Sequence, residues 1–411
     1  QPAKLRKKRC LEIANTEFRD LKRPRNLAPT AIQAADSEEK VYRVEEKDKR
    51  LLGKYKLPIR ENFPVFVDHR EWRDVDPHEV IAQGESLYIE GRPGTGKSHL
   101  ARELIEILRG QGKKVAVVSK CHTAALNMSG VTVQHFCYKY VLHGSFQGDY
   151  VVLDEVSQLE LSLWIQLNKL SFVGVKWILL GDFEQFPPVG QHIHAGQTLD
   201  DDCLQKSVLL KIMADNNRCV LRENKRSDQK LFDFYNSLVL HGSRVEPDLK
   251  TVLDEARKLF PRKRGWPDTS LVISHAMRRK LNEKQNKALK PEGALQVHGA
   301  DGELWLYPQL RLVGHMQEKR LGCVNNGTYI ILAVQPLEVK LECEASKKVF
   351  DVPMEFVQSS LRLAFCRTQA SVQGATIPNR VRIYANHPRF SKRHLYVCAS
   401  RCTNHALLEV I

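Results

Sequence analysis

The sequence predicts an α/β protein in which two domains, each built on a parallel sheet, follow one another along the chain. Three observations carry that expectation. Five short apolar runs, "SLYIEG" (86–91), "KVAVVS" (114–119), "YVVLDE" (150–155), "VKWILLGD" (175–182) and "CVLREN" (219–224), alternate with amphipathic stretches such as "SHLARELIEILRGQGK", the rhythm of strands joined by crossover helices. A second series follows, "SLVISH" (270–275), "TYIILAVQ" (328–335), "RVRIYAN" (380–386) and "LYVCAS" (395–400), and is read as the strands of a second domain. Between the first run and its helix sits the glycine-rich turn "GRPGTGKS".

Bulk properties frame those domains. The 411 residues suffice for two or three cores, and a hydrophobic fraction of 42% marks a folded chain. The net charge of +15 favours a polyanionic partner, most simply nucleic acid. No apolar run approaches the ~18 residues of a membrane span. The chain opens on Gln1 without a secretory signal, which reads as a fragment or a processed form. Its ten cysteines show no C-x-x-C pair, so they are expected to be reduced thiols and not zinc ligands. The expected compartment is intracellular, with nuclear, viral and cytoplasmic settings left open. Residues 1–75 stand apart as a basic, charge-rich extension, with "KLRKKRC" and "RDLKRPRN" as its clusters.

The turn is Gly91-Arg92-Pro93-Gly94-Thr95-Gly96-Lys97-Ser98, a full G-x-x-x-x-G-K-S between a strand and a helix. Its backbone N–H groups cradle phosphates, Lys97 reaches the terminal ones, and the Ser98 hydroxyl turns to Mg²⁺. With His99, which follows in the helix, Gly91, Pro93, Gly94, Thr95, Gly96, Lys97 and Ser98 form the candidate nucleotide cradle. "VVLDEVSQL" adds Asp154, a second magnesium residue, and Glu155, which polarises the attacking water. In "WILLGDFEQFPPVG", Gln185 is placed to sense the γ-phosphate or to position water, and Pro187-Pro188 stiffen the segment that leaves it.

From these motifs onward the chain resembles superfamily 1 DNA helicases, and most closely their RecD/Dda/Pif-type (1B) branch. G-x-x-G-T-G-K-[ST], D-E-x-S, G-D-x-x-Q-L-P-P-V, a later arginine, Q-G-x-T and Y-V-x-x-S-R occur in the family's order, over residues 86–411. The resemblance implies two tandem RecA-like P-loop motor domains with short accessory insertions. The first would span 76–225, with a short 1B insertion at about 134–149. The second would span 226–411 and carry a reduced 2B, since only the 42 residues from Asn326 to Arg367 are left for it. The resemblance also implies ATP as the nucleotide, Arg226 and Arg401 as the two arginine fingers, and Gln373 and Gly374 as nucleotide contacts. Nucleic acid would be met by His122, Thr123, His135, Phe136, Thr368 and Ser371.

The chain departs from the family at several of these places. The usual T-I-H-K-S-Q-G reads Thr368-Gln369-Ala370-Ser371-Val372-Gln373-Gly374, without its His and Lys. The upstream glutamine motif that reads adenine is not recognisable. The activity implied by the resemblance is that of an ATP- and magnesium-dependent helicase or translocase, travelling 5′→3′ on single-stranded DNA and opening forked duplexes. It would act as a monomeric motor in replication, repair or recombination, with no membrane and with protein partners left open. A viral-type RNA helicase and a P-loop NTPase switch are the alternatives. The first typically carries G-D-P-x-Q where this chain has Gly181-Asp182-Phe183-Glu184-Gln185. The second has no use for the ordered motifs of the second domain.

Overall fold

Unbroken apolar runs in the first half become strands buried on both faces, as a parallel sheet between helices requires. The computed structural model describes residues 41–43, 62–64, 71–120, 128, 130–188, 205, 207–239, 248–316, 318 and 322–411. Most of the basic extension, and both His122 and Thr123, lie outside the described residues. A short antiparallel pair, β1 (Val41–Arg43) and β2 (Asn62–Pro64), comes first. The elements that follow are β3 (Arg73–Asp74), α1 (Pro77–Ala82), β4 (Leu87–Gly91), α2 (Lys97–Gly110), β5 (Val115–Ser119), β6 (Val131–Thr132), α3 (Val133–Phe136), β7 (Tyr150–Asp154), α4 (Leu161–Asn168), β8 (Lys176–Gly181), α5 (Val208–Met213) and β9 (Asn217–Leu221). The strands form one seven-stranded sheet in the order β3-β9-β4-β8-β7-β5-β6, parallel at every pairing.

Local chemistry sets the ends of these elements. The Asp76 carboxylate accepts the backbone N–H groups of His78 and Glu79, and Pro77 fits the first turn of α1. Helix α2 buries Ala101, Leu104, Ile105 and Leu108 in one core with Leu87 and Ile89, the i, i+3, i+4, i+7 stripe of an amphipathic helix on a sheet. Because the strands are parallel, their C-terminal ends share one edge, where ligands of open α/β sheets bind. The P-loop, Asp154 and Asp182 leave from that edge.

The second half continues with α6 (Gln229–Ser237), α7 (Leu249–Leu259), β10 (Thr269–Val272), α8 (His275–Leu289), β11 (Leu295–Gly299), β12 (Gly302–Leu306), β13 (Arg311–Gly314), β14 (Thr328–Val334), β15 (Glu338–Cys343), β16 (Val349–Pro353), α9 (Met354–Ser360), β17 (Leu361–Leu363), β18 (Cys366–Thr368), β19 (Val381–Ile383), α10 (Lys392–Ala399) and β20 (Leu408–Val410). A four-stranded sheet, β18-β10-β19-β20, is the second parallel sheet. Strands β11 and β12 form a hairpin, and β16-β15-β14-β13-β17 form an antiparallel sheet with its own core around Tyr329, Ile331 and Leu341.

Three expectations change. "LYVCAS" is not a strand but most of α10, capped by Ser391. Leu395 through Ala399 are all buried, and a helix buried on every side has no polar stripe to reveal its period. "TYIILAVQ" is a strand, but it belongs to the antiparallel sheet. The insertion is larger than the spacing from Asn326 suggests, because β13 of this sheet precedes Asn326 and a separate β11–β12 hairpin starts at Leu295. Phe136, expected among the nucleic-acid contacts, is fully buried, with ring centroids 5.4 Å from Tyr140 and 5.1 Å from Phe146. It is a core residue, and the exposed His135 beside it keeps the accessible position. The described cysteines are free, and of these all but Cys219 are buried. No helix among the described residues is long and apolar enough to cross a membrane.

Candidate nucleotide site and nucleic-acid groove

The loop after β4 takes its shape from glycine. Gly94 and Gly96 have φ of +86° and +94°, the left-handed region that a Cβ disfavours. A Cβ on Gly94 would also lie 3.0 Å from the Cβ of Arg226, so the loop and the arginine are packed together. Lys97 Nζ donates to the carbonyls of Gly91 (2.6 Å) and Arg92 (3.2 Å), which points the ammonium into the loop. Burial lowers the Lys97 pKa, and Asp182, Glu155 and Asp154 counter it. Ser98 is half-buried beside Lys97 and His99 is exposed.

Asp154 and Glu155 end β7. Asp154 is buried and accepts the backbone N–H of Glu155 at 2.9 Å. Glu155 has φ +56°, a costly conformation for a residue with a side chain. It accepts Gln158 Nε2 at 3.1 Å, which orients the carboxylate. Burial, reinforced by the Glu155 charge, pushes the Asp154 carboxyl up to about 7. A carboxylate so strained by burial beside a second one is relieved by a hard divalent cation, and hydroxyl and carboxylate oxygens suit Mg²⁺. Among the described residues no three His, Cys, Asp or Glu side chains converge into a metal cage. Asp154 has a raised pKa, so its stabilising contribution is present below its unfolded value of 3.8 and is lost as pH rises through about 7. Mg²⁺ needs the carboxylate, so its affinity in the presence of a non-hydrolysable nucleotide is expected to rise several-fold from about pH 6 to about pH 8. Calorimetric titration checks this against Asp154→Asn, in which that part of the dependence disappears. Equal pH profiles in the two proteins would reject Asp154 as the ligand.

The second domain closes this site. Arg401, 2% exposed, donates to Gln185 Oε1 at 3.2 Å across the cleft, and its Nε donates to Val397 O at 3.1 Å. Arg226 donates to the Ser400 carbonyl and, at 3.3 Å, to Thr376 Oγ1. Its Nε is buried without a partner. Burial, with Arg401 beside it, lowers the Arg226 pKa to about 10. Two neighbouring guanidinium groups, one with an unspent N–H, form a site for an anion. Gln373 and Gly374 stand three and two residues before Thr376, and so lead from the Arg226 contact into the loop after β18.

Several groups at the cleft had no role assigned from the sequence. Tyr396 donates its hydroxyl to Asp182 Oδ2 at 2.6 Å, and the Arg92 guanidinium lies 5.9 Å above the Tyr396 ring. Tyr235 donates to Pro93 O at 2.9 Å, and Lys225 N to Gly94 O at 2.8 Å. Phe186, just after Gln185, packs on the second domain's core, its ring 4.8 Å from that of His394. The letters Y-V-x-x-S-R already held Tyr396; nothing in the sequence singles out Tyr235.

A groove runs between the second parallel sheet and the antiparallel sheet. Thr368 and Ser371 line a cavity of about 260 Å³ with His275, Arg278, His315, Arg362 and Arg367. Asn326 and Arg367 also line an adjoining cavity of about 340 Å³, which contains Arg311. The Nε atoms of Arg278, Arg311, Arg362 and Arg367 are all buried without a hydrogen-bond partner, although that of Arg362 lies 3.6 Å from Asp301 Oδ2. Asp301 takes a bidentate pair from Arg278 at 2.6 and 3.0 Å, and Glu344 pairs with Arg311 at 2.8 Å. Four arginines against two carboxylates leave positive charge and directed N–H groups, the requirements of a phosphodiester backbone.

Comparison with known proteins places this geometry. The AAA domain family matches residues 78–213. The ATP-dependent DNA helicase PIF1 of Saccharomyces cerevisiae is 26% identical over 256 residues, 54% of this chain and 28% of that protein. The ATP-dependent DNA helicase Pif1 of Bdellovibrio bacteriovorus is 26% identical over 222 residues, 45% of this chain and 48% of that protein. The Pif1 helicase structure from Candida albicans superposes with a TM-score of 0.59 at 18% identity, covering 85% of this chain and 95% of that one. The Bacteroides Pif1 helicase in complex with ADP-AlF3 and ssDNA gives 0.56 at 17% identity, covering 81% and 91%. The chain resembles the Pif1 helicases in sequence and in fold. It spans less than half the length of these curated relatives. Its fold is the tandem RecA-like α/β fold. In this Pif1-like chain the two parallel sheets are joined at the P-loop by Lys225, Arg226 and Tyr235 and at the edge of the first sheet by Tyr396 and Arg401.

Proposed function

We propose that this chain is an ATP- and Mg²⁺-dependent DNA helicase that translocates 5′→3′ on a single strand and opens forked duplexes. The observation that carries the reading is the Arg401–Gln185 hydrogen bond across the cleft. An arginine of one domain on the γ-phosphate sensor of the other makes the cleft sensitive to whether that phosphate is present. Lys97 holds the terminal phosphates, and Glu155 orients and polarises the attacking water. Arg226 and Arg401 receive the charge that develops as the phosphoryl group leaves. Bound Mg²⁺, held by Ser98 and Asp154, would neutralise phosphate charge during the transfer. Phe186 transmits opening and closing to the second domain's core. The arginine groove, with Thr368 and Ser371, grips the strand, and His135 contributes from the first domain. The named activity of the curated relatives supports ATP-driven work on DNA, and a related structure bound to single-stranded DNA supports the substrate.

The test is unwinding of DNA duplexes carrying only a 5′ tail or only a 3′ tail, beside RNA duplexes of the same design. The 5′-tailed DNA is expected to be opened at least about tenfold faster than the others, a difference of ~1.4 kcal/mol or more in barrier. Efficient opening from a 3′ tail alone would overturn the polarity and leave the motor standing. Preference for the RNA duplex would favour the viral-type reading, and ATP turnover indifferent to any nucleic acid would favour a switch.

A further inference from the structure

The outer face of α8 carries charge that the motor mechanism leaves unused. The helix starts at the groove, where His275 lines the cavity, and runs for 15 residues, about 22 Å. Its exposed positions include Arg279, Lys280, Lys284 and Lys287, and the one carboxylate in the helix is Glu283. Lys290 follows directly. Two of these lysines rest on tryptophans. Lys284 Nζ lies 6.0 Å above the Trp266 ring, and Lys290 Nζ lies 3.4 Å above that of Trp305. Cation–π contact holds each ammonium near the surface and lowers its cost of ordering on a ligand. A like-charged helical face destabilises its own helix through i, i+4 repulsion. The stripe instead prolongs the positive field of the groove along one straight element.

We infer that this face is a second, sequence-independent nucleic-acid surface, a track for the strand beyond the arginine groove. The inference rests on the groove holding that strand. The charge is complementary to a phosphodiester backbone, and the track is continuous with the groove at His275. Its length matches about six nucleotides of a stacked strand at ~3.4 Å each. The track extends the footprint and residence of the motor on a long strand without touching the nucleotide cleft.

The experiment compares the full chain with its K280E/K284E/K287E variant on fluorescent oligothymidylates of about 8 and about 16 nucleotides. These lengths fall within the range of known single-strand footprints. Affinity for the longer oligomer is expected to fall at least about tenfold, and the slope of log affinity against log salt to shrink by about 2, or ~0.7 for each of three lost phosphate contacts. Affinity for the short oligomer, and ATP turnover at its saturation, stay unchanged. The K280Q/K284Q/K287Q variant gives a smaller loss in the same direction, separating lost attraction from introduced repulsion. An unchanged affinity for the longer oligomer, or an equal loss on both lengths, would overturn the track. A wild-type chain that bound neither oligomer would overturn the groove reading and the track with it.

Discussion

Lys97→Ala abolishes ATP turnover, with an expected loss of at least about 10²–10³-fold, the scale for removing one donor from a developing oxyanion. Lys97 Nζ is aimed into the loop by the carbonyls of Gly91 and Arg92. Its lowered pKa reflects a buried ammonium with Asp182, Glu155 and Asp154 around it. Removing it leaves an uncompensated cluster of carboxylates, so a loss of stability is expected as well. Lys97→Met, which fills the same space without charge, separates the two effects. If Lys97→Met folds as the wild type does by thermal melting yet turns over ATP at a comparable rate, the phosphate site is wrongly assigned.

Arg401→Ala has a comparable expected effect for a different reason. An arginine finger is worth about 10³–10⁵-fold in turnover, and the role proposed for Arg401 is that of a finger reaching in from the opposite domain. The side chain is 2% exposed and donates to Gln185, Ser400 and Val397. Truncation therefore leaves buried acceptors unpaired, at about 1–3 kcal/mol each. Arg401→Lys keeps the charge but loses the planar fork. It is expected to retain nucleotide affinity while losing turnover and its stimulation by single-stranded DNA. Measuring both in one titration series checks the role. DNA-stimulated turnover close to wild type in Arg401→Lys would remove Arg401 from the transition state.

The candidate nucleotide site was legible in the sequence because the chemistry it proposes is local. A glycine-rich loop, a lysine and a hydroxyl fit phosphate only at one spacing and only between a strand and a helix. Asp154 and Gln185 follow because parallel strands deliver their C-terminal ends to one edge. Glu155 was legible as a carboxylate in the right place, but its left-handed backbone was not, since nothing in "LDEVS" demands it. α10 was misread because total burial removes the polar half of the helical pattern. Phe136 was misread because an aromatic residue beside an exposed histidine gives no sign of which way its ring turns.

The order of the motifs, the phosphate cradle and its paired carboxylates were determined by the sequence alone, because each depends on residue types at short, fixed separations. The meeting of Arg401 with Gln185, and of Tyr396 with Asp182, required α10 and the residues after it to pack against the loop that follows β8. The arginine groove required more. Arg278, Arg311, Arg362 and Arg367 come from α8, β13, β17 and β18, and the packing of the antiparallel sheet against the second parallel sheet brings them to one groove. A local pattern of charge cannot announce such a site, because the separations that create it are set by strand pairing and packing.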